Sequence, residues 1–338
     1  MLQYKYMENK IDILAIGDIA AEPFIKIKEA EIEPEKNSDE FNLCLDYGGK
    51  IPYESALECF AVGNSANVSI AASRLGLKTS LASYVGKDDI GLKNIEKLIE
   101  ENVDTSNIEI IKGMESNYHY VLWYKNERTI LVKHTDFPYK MPEIRTEPKW
   151  VYLSSLSQNS ISYHEEILNY LNSHPEVSFA IQPGTFQIRL GVESLKGLYE
   201  RANVFFSNKE EAQKILNTEN EDVIFLLKQI FSLGPKLVVI TDGVDGSYSF
   251  DGQEVLHMKS FYKESETFEN TGAGDAFSGA FIAALVHEKT TKEALVWGTI
   301  NSKSVVQFVG PHQGLLSKDQ MEKELDLLDP EVGPTKLD

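Results

Sequence analysis

The strongest chemical feature of the sequence is a glycine-rich turn that runs directly into an apolar helix. It reads Asn-Thr-Gly-Ala-Gly-Asp at 270–275, followed by Ala-Phe-Ser-Gly-Ala-Phe-Ile-Ala-Ala-Leu at 276–285. The first backbone N–H groups of a helix have no partner within the helix, and the helix dipole adds positive charge there. We therefore expect Gly272, Ala273 and Gly274 to form an anion hole for a phosphate group.

Asp275, in the first turn of this helix, has two interpretations. An acidic residue at this place commonly does no more than compensate the helix dipole. The second interpretation is catalytic, because a carboxylate beside an anion site can accept the proton of an attacking hydroxyl. The backbone donors would then stabilise the charge on a transferred phosphoryl group.

Two other phosphate-binding motifs are absent from the sequence. A Walker A loop needs a glycine five positions before Gly-Lys, but Cys44 and Leu81 occupy the corresponding positions before Gly49 and Gly86. The dinucleotide fingerprint needs a third glycine where Phe277 stands. NAD-dependent chemistry is therefore disfavoured.

The elements that must position this turn alternate regularly along the chain. Apolar runs that indicate buried strands are separated by helical segments, a pattern typical of a parallel sheet with helices on both faces. We predict strands at 11–17, 79–85, 151–156, 177–181, 204–206 and 237–241, and helices at 64–75, 92–101, 165–172, 193–202, 210–216 and 222–231.

Two further segments, at approximately 22–50 and 116–135, alternate apolar and polar residues as exposed strands do. We expect them to form a small β appendage on one α/β domain that spans 1–338.

Composition limits the possible partners. The chain of 338 residues has 33 Lys and Arg against 52 Asp and Glu, for a net charge of −19, which disfavours general nucleic-acid binding. The apolar run 11–16 is too short for a signal peptide or a membrane span. Cys44 and Cys59 have no zinc-ligand spacing, so we interpret them as reduced thiols in a cytoplasmic protein.

Four motifs together resemble the ribokinase-like (PfkB-type) carbohydrate and nucleoside kinases. The segment 270–281 resembles the C-terminal signature of that family, and Gly63-Asn-Ser-Ala-Asn67 resembles its N-terminal signature. Ser207-Asn208-Lys-Glu-Glu211 resembles the Asn-x-x-Glu element, and Thr241-Asp-Gly243-Val-Asp-Gly246 resembles the Thr-x-Gly-x-x-Gly loop. The resemblance extends from about residue 11 to residue 309 and implies a three-layer α/β/α fold with a mostly parallel central sheet and a small β-sheet lid.

The resemblance also implies roles for individual residues. Asp275 would be the catalytic base, and Glu211 would bind Mg²⁺ at the phosphate end of ATP. The implied nucleotide-binding residues are Asn208, Thr241, Gly243, Gly246 and Asn301, and the implied substrate-binding residues are Asp18, Glu22, Gly63, Asn64 and Asn67.

The sequence departs from the family pattern on the acceptor side. Glu22 stands where the family usually has Asp for gripping vicinal hydroxyls, Ala20 stands where ribokinases have Asn, and Val62 replaces the first glycine of a pair. Glu269 replaces an Asp in a region that the family associates with a monovalent cation. Substrate identity and K⁺ dependence are therefore left open.

The function implied is an ATP- and Mg²⁺-dependent kinase that phosphorylates a hydroxymethyl group of a small sugar. A nucleoside kinase of the adenosine kinase type is the alternative, since Tyr118, Tyr120 or Trp123 could stack a base. A sugar-binding regulator without activity is an alternative of another class.

Two expectations concern the appendage. It would close over the site as a lid and could pair two copies as a homodimer. Arg128 could enter the site from this lid, although Lys-Asn-Glu-Arg at 125–128 is also typical of an exposed turn, which we favour.

Overall fold

The computed structural model describes residues 10–35, 41–125, 127–261, 271–329 and 331–337. Within these residues the strands are, in chain order, β1 (Ile13–Ile16), β2 (Ala20–Ile27), β3 (Glu31–Pro34), β4 (Phe41–Cys44), β5 (Tyr53–Val62), β6 (Thr79–Gly86), β7 (Ile108–Ile111), β8 (Asn117–Tyr124), β9 (Glu127–Lys133), β10 (Trp150–Leu153), β11 (Ser178–Ile181), β12 (Val204–Asn208), β13 (Val238–Thr241), β14 (Ser247–Phe250), β15 (Val255–Met258) and β16 (Thr335–Leu337).

The helices are, in the same described ranges, α1 (Asn64–Arg74), α2 (Asp89–Glu100), α3 (Ile161–Ser173), α4 (Thr185–Leu190), α5 (Val192–Arg201), α6 (Lys209–Leu216), α7 (Val223–Phe231), α8 (Ala273–Val286), α9 (Thr291–Val305) and α10 (Lys318–Asp326). None of these helices is long and apolar enough to cross a membrane.

The central sheet has the strand order β16-β15-β14-β13-β12-β11-β10-β1-β6-β7. The strands from β13 to β7 in this order are parallel, and β14, β15 and β16 extend the sheet antiparallel to their neighbours. Parallel strands have their carboxyl ends at one edge, so the segments that follow β1, β12 and β13 meet there.

Helices cover both faces of this sheet. In β1, Ile13 and Ala15 pack into one apolar core, which includes residues of α1, α8 and α9. Leu14 and Ile16 pack into a second core with residues of α3, α5 and α7. Alternate side chains of a strand point to opposite faces, so a strand buried on both faces is apolar throughout. The predicted three-layer α/β/α fold is confirmed.

The β appendage, which we call the lid sheet, has the order β5-β2-β8-β9, with β3 and β4 as a separate hairpin. β5 lies outside the two predicted lid segments. Its sequence, Tyr-Glu-Ser-Ala-Leu-Glu at 53–58, contains good helix formers, but antiparallel pairing with β2 makes it a strand.

Candidate active site

The predicted anion hole lies where α8 begins, and its glycines differ in what surrounds them. Gly272 caps the helix in the left-handed conformation, with φ of 79°. A Cβ atom there would lie 2.5 Å from Cβ of Pro311, whereas a Cβ on Gly274 would have no neighbour within 4 Å. Gly272 is thus required by the turn, and Gly274 leaves open space in front of the helix N-terminus. Glu269 and Asn270, the first residues of the motif, lie outside the described residues.

Asp275 is buried and is held by three side-chain amides. Asn64 Nδ2 and Gln182 Nε2 donate to its Oδ1 at 2.8 and 3.1 Å, and Asn67 Nδ2 donates to its Oδ2 at 2.7 Å. Burial raises the pKa of this carboxyl above its usual value, and the three amides oppose the rise by stabilising the charged form. Oδ2 accepts only one of these bonds, so it keeps capacity for a further donor.

Each of the three amides is fixed in turn by a donor to its oxygen. Ser155 Oγ donates to Asn64 Oδ1 at 2.7 Å, and His312 Nε2 donates to Asn67 Oδ1 at 2.8 Å. A carboxylate only accepts, so the amide nitrogens must face Asp275 and the His312 proton must reside on Nε2. Burial lowers the pKa of His312 to about 3, which keeps the ring neutral.

The side-chain oxygen of Gln182 accepts two hydrogen bonds, whereas those of Asn64 and Asn67 accept one each. Gln182 Oε1 accepts from Tyr152 OH and Ser278 Oγ, both at 2.7 Å. Sequence reasoning assigned no role to Gln182 or His312. The Gln182-Pro183 pair directly after an apolar run is a signal that could have pointed to the first of them.

Three of the predicted nucleotide residues, Thr241, Gly243 and Gly246, meet the anion hole in one open cleft. Asn208 is the register partner of Thr241, so the ends of β12 and β13 are adjacent. The cleft is lined by Thr241, Gly243, Gly246, Ser247, Ser260, Ala273, Gly274, Phe277, Thr299 and Ser302. Gly246, at φ of 96°, lies so close to the backbone of Met258 that a Cβ atom would be 2.1 Å from that carbonyl oxygen.

Asn301, the remaining residue that the resemblance places near the nucleotide, is not among the residues that line this cleft. Its side chain is fully buried. Nδ2 donates to the Ala276 carbonyl at 2.9 Å, and Oδ1 accepts from the Leu316 backbone N–H at 3.0 Å. Both polar atoms hold backbone together, so Asn301 fixes α8 against the chain before α10.

Asn208 and Glu211 form a reciprocal cap at the start of α6. Asn208 Oδ1 accepts from the Glu211 N–H at 2.7 Å, and Glu211 Oε2 accepts from the Asn208 N–H at 3.0 Å. Burial raises the pKa of the Glu211 carboxyl, and the negative charge of Asp275 raises it further. The negative charges of Glu211 and Asp275 therefore repel each other. A bound cation would relieve this repulsion.

On the acceptor side, Asp18 and Glu22 are both buried. Tyr139 OH lies 2.8 and 2.7 Å from the two Asp18 oxygens, and the Ser157 N–H donates at 3.0 Å. Burial raises the pKa of Asp18 to about 7, against the effect of these donors. Glu22 Oε1 accepts from His119 Nδ1 at 2.9 Å.

Gly63 connects the acceptor side to Asp275. At φ of 139° it precedes α1, and a Cβ atom would lie 2.4 Å from the Asp18 carbonyl oxygen. Only glycine allows this close approach of α1 to the end of β1. Asn64 and Asn67, predicted to contact substrate, follow on α1 and have one N–H of each amide committed to Asp275.

Arg128 is not part of the hairpin turn, which corrects the turn interpretation. It pairs with Trp123, and Trp123 is buried on the same face of the lid sheet as Glu22. Its positive charge lowers the pKa of Asp275, as a minor effect beside burial. The Arg128 side chain is exposed on β9, so this effect acts on Asp275 through space.

Solved structures share this fold over nearly the whole chain. A ribokinase of Arabidopsis thaliana complexed with ribose and ATP matches with a TM-score of 0.76 at 18% identity, covering 95% of this chain and all of that one. A nucleoside kinase of Methanocaldococcus jannaschii matches with a TM-score of 0.71 at 19% identity, covering 94% and 99%. A ribokinase-like protein of E. coli in complex with ATP and Mg²⁺ matches with a TM-score of 0.74 at 16% identity, covering 94% and 99%. The fold is that of the ribokinase-like kinases.

Sequence comparison defines the family. The family model described as pfkB family carbohydrate kinase matches residues 24–316. The chain belongs to this family, whose members are phosphotransferases that act on sugar hydroxyl groups. It is 25% identical over 334 residues to an ATP-dependent 6-phosphofructokinase of Thermoanaerobacterium thermosaccharolyticum, with 95% of each chain covered. It is 26% identical over 269 residues to a ribokinase of Bacillus subtilis, covering 78% of this chain and 87% of that one.

Proposed function

We propose that this chain transfers the γ-phosphoryl group of ATP, with Mg²⁺, to a hydroxymethyl group of a small sugar. The observation that carries the proposal is the position of Asp275. It is a buried carboxylate at a helix N-terminus, with an open nucleotide cleft beside that terminus and the buried Asp18 and Glu22 near its amide partners.

Asp275 Oδ2 is the proton acceptor in this proposal. Oδ1 accepts two amide hydrogen bonds, while Oδ2 accepts one and can accept another from the acceptor hydroxyl. The amides hold the carboxylate in a fixed orientation, which lowers the cost of aligning it with the reacting hydroxyl. The free N–H groups at the start of α8 face the charge that develops on the phosphoryl group.

Glu211 is the residue proposed to bind Mg²⁺, either directly or through water. Mg²⁺ usually retains several waters and is held by one or two carboxylates and the phosphates, which it neutralises when bound. The fit is supported by Glu211 itself, because its carboxyl is destabilised as an anion by burial and by Asp275.

Arg128 and the lid sheet complete the site in this proposal. The Arg128 side chain is proposed to contact the transferred phosphoryl group, since its charge already acts on Asp275. A lid in place excludes water, which would otherwise compete with the sugar as acceptor.

The nucleoside alternative is weakened by the lid sheet. The ring centroids of Tyr118 and Tyr120 are 5.0 Å apart. Both residues alternate with Trp123 along β8, so they lie on the opposite face of the strand from Trp123. The three rings therefore do not form one pocket for a base. The inactive-regulator alternative is disfavoured by the three side-chain amides that hold Asp275 with Oδ2 able to accept a further donor.

Three further expectations belong to this proposal. A cytoplasmic location is supported by Cys44, which is a free thiol. A requirement for K⁺ stays a prediction from the resemblance, because Glu269 lies outside the described residues. Pairing of two copies through the lid is supported by apolar side chains exposed on it, among them Tyr53, Tyr120 and Leu131.

The test is ADP release from ATP and Mg²⁺ with a panel of sugars and nucleosides. We expect turnover with at least one sugar, little with adenosine, and none when Mg²⁺ is chelated. Preferred turnover of adenosine would support the nucleoside alternative. Absence of turnover together with calorimetric binding of one sugar would support the regulator.

A further inference from the structure

Residues 312–315, between α9 and α10, form a turn that reaches the candidate active site through one side chain. The Leu315 N–H donates to the His312 carbonyl at 3.2 Å and closes the turn. The His312 ring is buried and donates from Nε2 to Asn67 Oδ1 at 2.8 Å. The position of this turn therefore determines whether the Asn67 amide keeps its nitrogen directed at Asp275.

The guanidinium of Arg74, the last residue of α1, holds this turn from outside the site. Nη1 donates to the His312 carbonyl at 2.7 Å and to the Leu315 carbonyl at 3.0 Å. Nε and Nη2 donate to the two carboxylate oxygens of Glu101, both at 2.8 Å. Because this bidentate pair fixes the plane of the guanidinium, Nη1 is held in a set position for the two carbonyls.

Glu101, the C-cap of α2, is held in its turn by two neighbours. Lys97 Nζ donates to its Oε1 at 2.8 Å, and Ser73 Oγ donates to its backbone carbonyl at 2.7 Å. Burial opposes ionisation of Glu101, but the hydrogen bonds from Arg74 and Lys97 outweigh it and lower the pKa to about 2. The ion pair with Arg74 is therefore present throughout the pH range of a kinase assay.

Arg74 and Asn67 lie on the same face of α1. They are seven residues apart, which is about two helical turns or roughly 10 Å. The helix therefore contacts the 312–315 turn twice, through the Arg74 guanidinium and through the Asn67 amide. Two contacts from one helix fix both the position of the turn and the direction of the His312 ring.

We infer that Arg74 is a positioning residue for the proposed catalytic base, Asp275. It fixes the turn, and the His312 ring on that turn keeps the Asn67 amide directed at the carboxylate. Without this support, Asp275 loses one of the donors that stabilise its charged form. The inference rests on the proposed kinase function and adds to it a residue that acts only through other residues.

The first experiment is the variant Arg74→Lys. Lysine keeps a positive charge near Glu101, but a single ammonium cannot bond Glu101 through two nitrogens and the turn through a third. We expect kcat to fall about tenfold. The acid limb of the kcat profile should also move to higher pH, because Asp275 with weaker support from Asn67 has a higher pKa.

Arg201→Lys is the matched control. Arg201 is likewise the half-buried last residue of its helix, α5, and its guanidinium donates to the backbone carbonyls of Leu171, His174 and Val177. Both variants should lose stability in thermal unfolding, but only Arg74→Lys should change kcat and the pH profile. The same kinetics in both variants overturns the inference.

His312→Leu tests the route from Arg74 to the base. It removes the donor to Asn67 directly, so we expect the same shift of the pH profile. The double variant Arg74→Lys/His312→Leu should lose no more kcat than His312→Leu alone, because both changes act through one contact. Losses that add in the double variant overturn the inference.

A measurement without turnover separates this inference from the proposed function. The pKa of the Asp275 carboxyl, followed by carbon-13 NMR, should be higher in Arg74→Lys than in the natural chain and in Arg201→Lys. Arg128 and Glu211, whose charges interact with that of Asp275, are the same in all three proteins. Equal pKa values overturn the inference even if the natural chain phosphorylates a sugar. Failure to phosphorylate any sugar would contradict the proposed function and leave this comparison valid.

Discussion

At the scale of single residues, the catalytic proposal depends on the charge of Asp275. In Asp275→Asn the base is lost. The new amide nitrogen replaces one carboxylate oxygen, so a donor now meets one or more of the donors from Asn64, Asn67 and Gln182. We expect kcat to fall by about a thousandfold, the range of general base catalysis, while ATP affinity is kept. Steady-state kinetics and nucleotide titration measure the two effects.

The control for this variant is Asp222→Asn. Asp222 caps α7, far from the site, through a bond from the Ile224 N–H that asparagine also accepts. Near-native turnover of Asp275→Asn, with a normal melting temperature, would show that Asp275 is not the base.

We expect Gln182 to act as a positioning residue for Asp275, with an effect that appears in the pH profile. Its amide stabilises the charged form of Asp275, so Gln182→Met should raise the pKa of that carboxyl further. The reaction needs the ionised carboxylate, so the acid limb of the kcat profile should move to higher pH. At pH values on that acid limb, we expect kcat of Gln182→Met to be about tenfold lower than kcat of the natural chain.

Gln187→Met is the matched control for Gln182→Met. Gln187 is also a buried amide, and it contacts His164 and the Gly184 N–H but not Asp275. A loss of stability alone would affect both variants, whereas a shifted pH profile should occur only at Gln182. The same profile in both variants contradicts the positioning role.

At the scale of elements, the two glycines at the N-terminus of α8 have different predicted roles. Gly272 is expected to affect stability and Gly274 to affect phosphate binding. Gly274→Ala meets open space in the protein and should not reduce stability, since Ala favours helix by about 1 kcal/mol. Its methyl group would project into the anion hole, and we expect kcat/KM for ATP to fall on the order of a hundredfold.

Gly272→Ala is the contrasting variant in the same turn. It forces a Cβ into the left-handed conformation and against Pro311, so we expect a loss of about 1–3 kcal/mol in the free energy of unfolding. Thermal or urea unfolding measures this difference. Unchanged ATP kinetics in folded Gly274→Ala would place the phosphate elsewhere.

At the scale of the whole molecule, the outer face of the lid sheet predicts self-association. Tyr120 and Leu131 are register partners on this face and are 46% and 53% exposed, and Tyr53 is 62% exposed. An exposed apolar sheet face of this kind is typical of an interface. We expect sedimentation velocity to show a dimer that Leu131→Asp converts to a monomer. The control is Leu327→Asp, which should leave the dimer intact, because Leu327 is the C-cap of α10 and is 82% exposed. A monomeric natural chain at micromolar concentration would contradict the expectation.

The net charge of −19 is also a property of the whole molecule, and the site shows how an acidic protein can accommodate ATP. The proposed phosphate donors are backbone N–H groups of α8 and the single charge of Arg128, with Mg²⁺ near Glu211. Such a site needs little net positive charge.

Much of the fold could be predicted because its signals are local. Alternating apolar runs predicted β1, β6 and β10 to β13, and the glycine-rich turn predicted the start of α8. The lid strand β5 was not predicted, because its residues favour helix and only pairing with β2 decides its structure. Asn301 shows the same limit, since no local pattern indicated that its side chain joins the backbone at Ala276 and Leu316.

The sequence by itself determined the class of chemistry, because an anion hole and an adjacent carboxylate are encoded within six consecutive residues. Only the tertiary structure decided how that carboxylate is held and what the acceptor side can bind. Asn64, Gln182 and His312 are separated along the chain from the groups they bond by 211, 93 and 245 positions. Hydrogen bonds between such distant groups depend on how the sheet, α1 and the lid pack together, and no local pattern of residues specifies that packing.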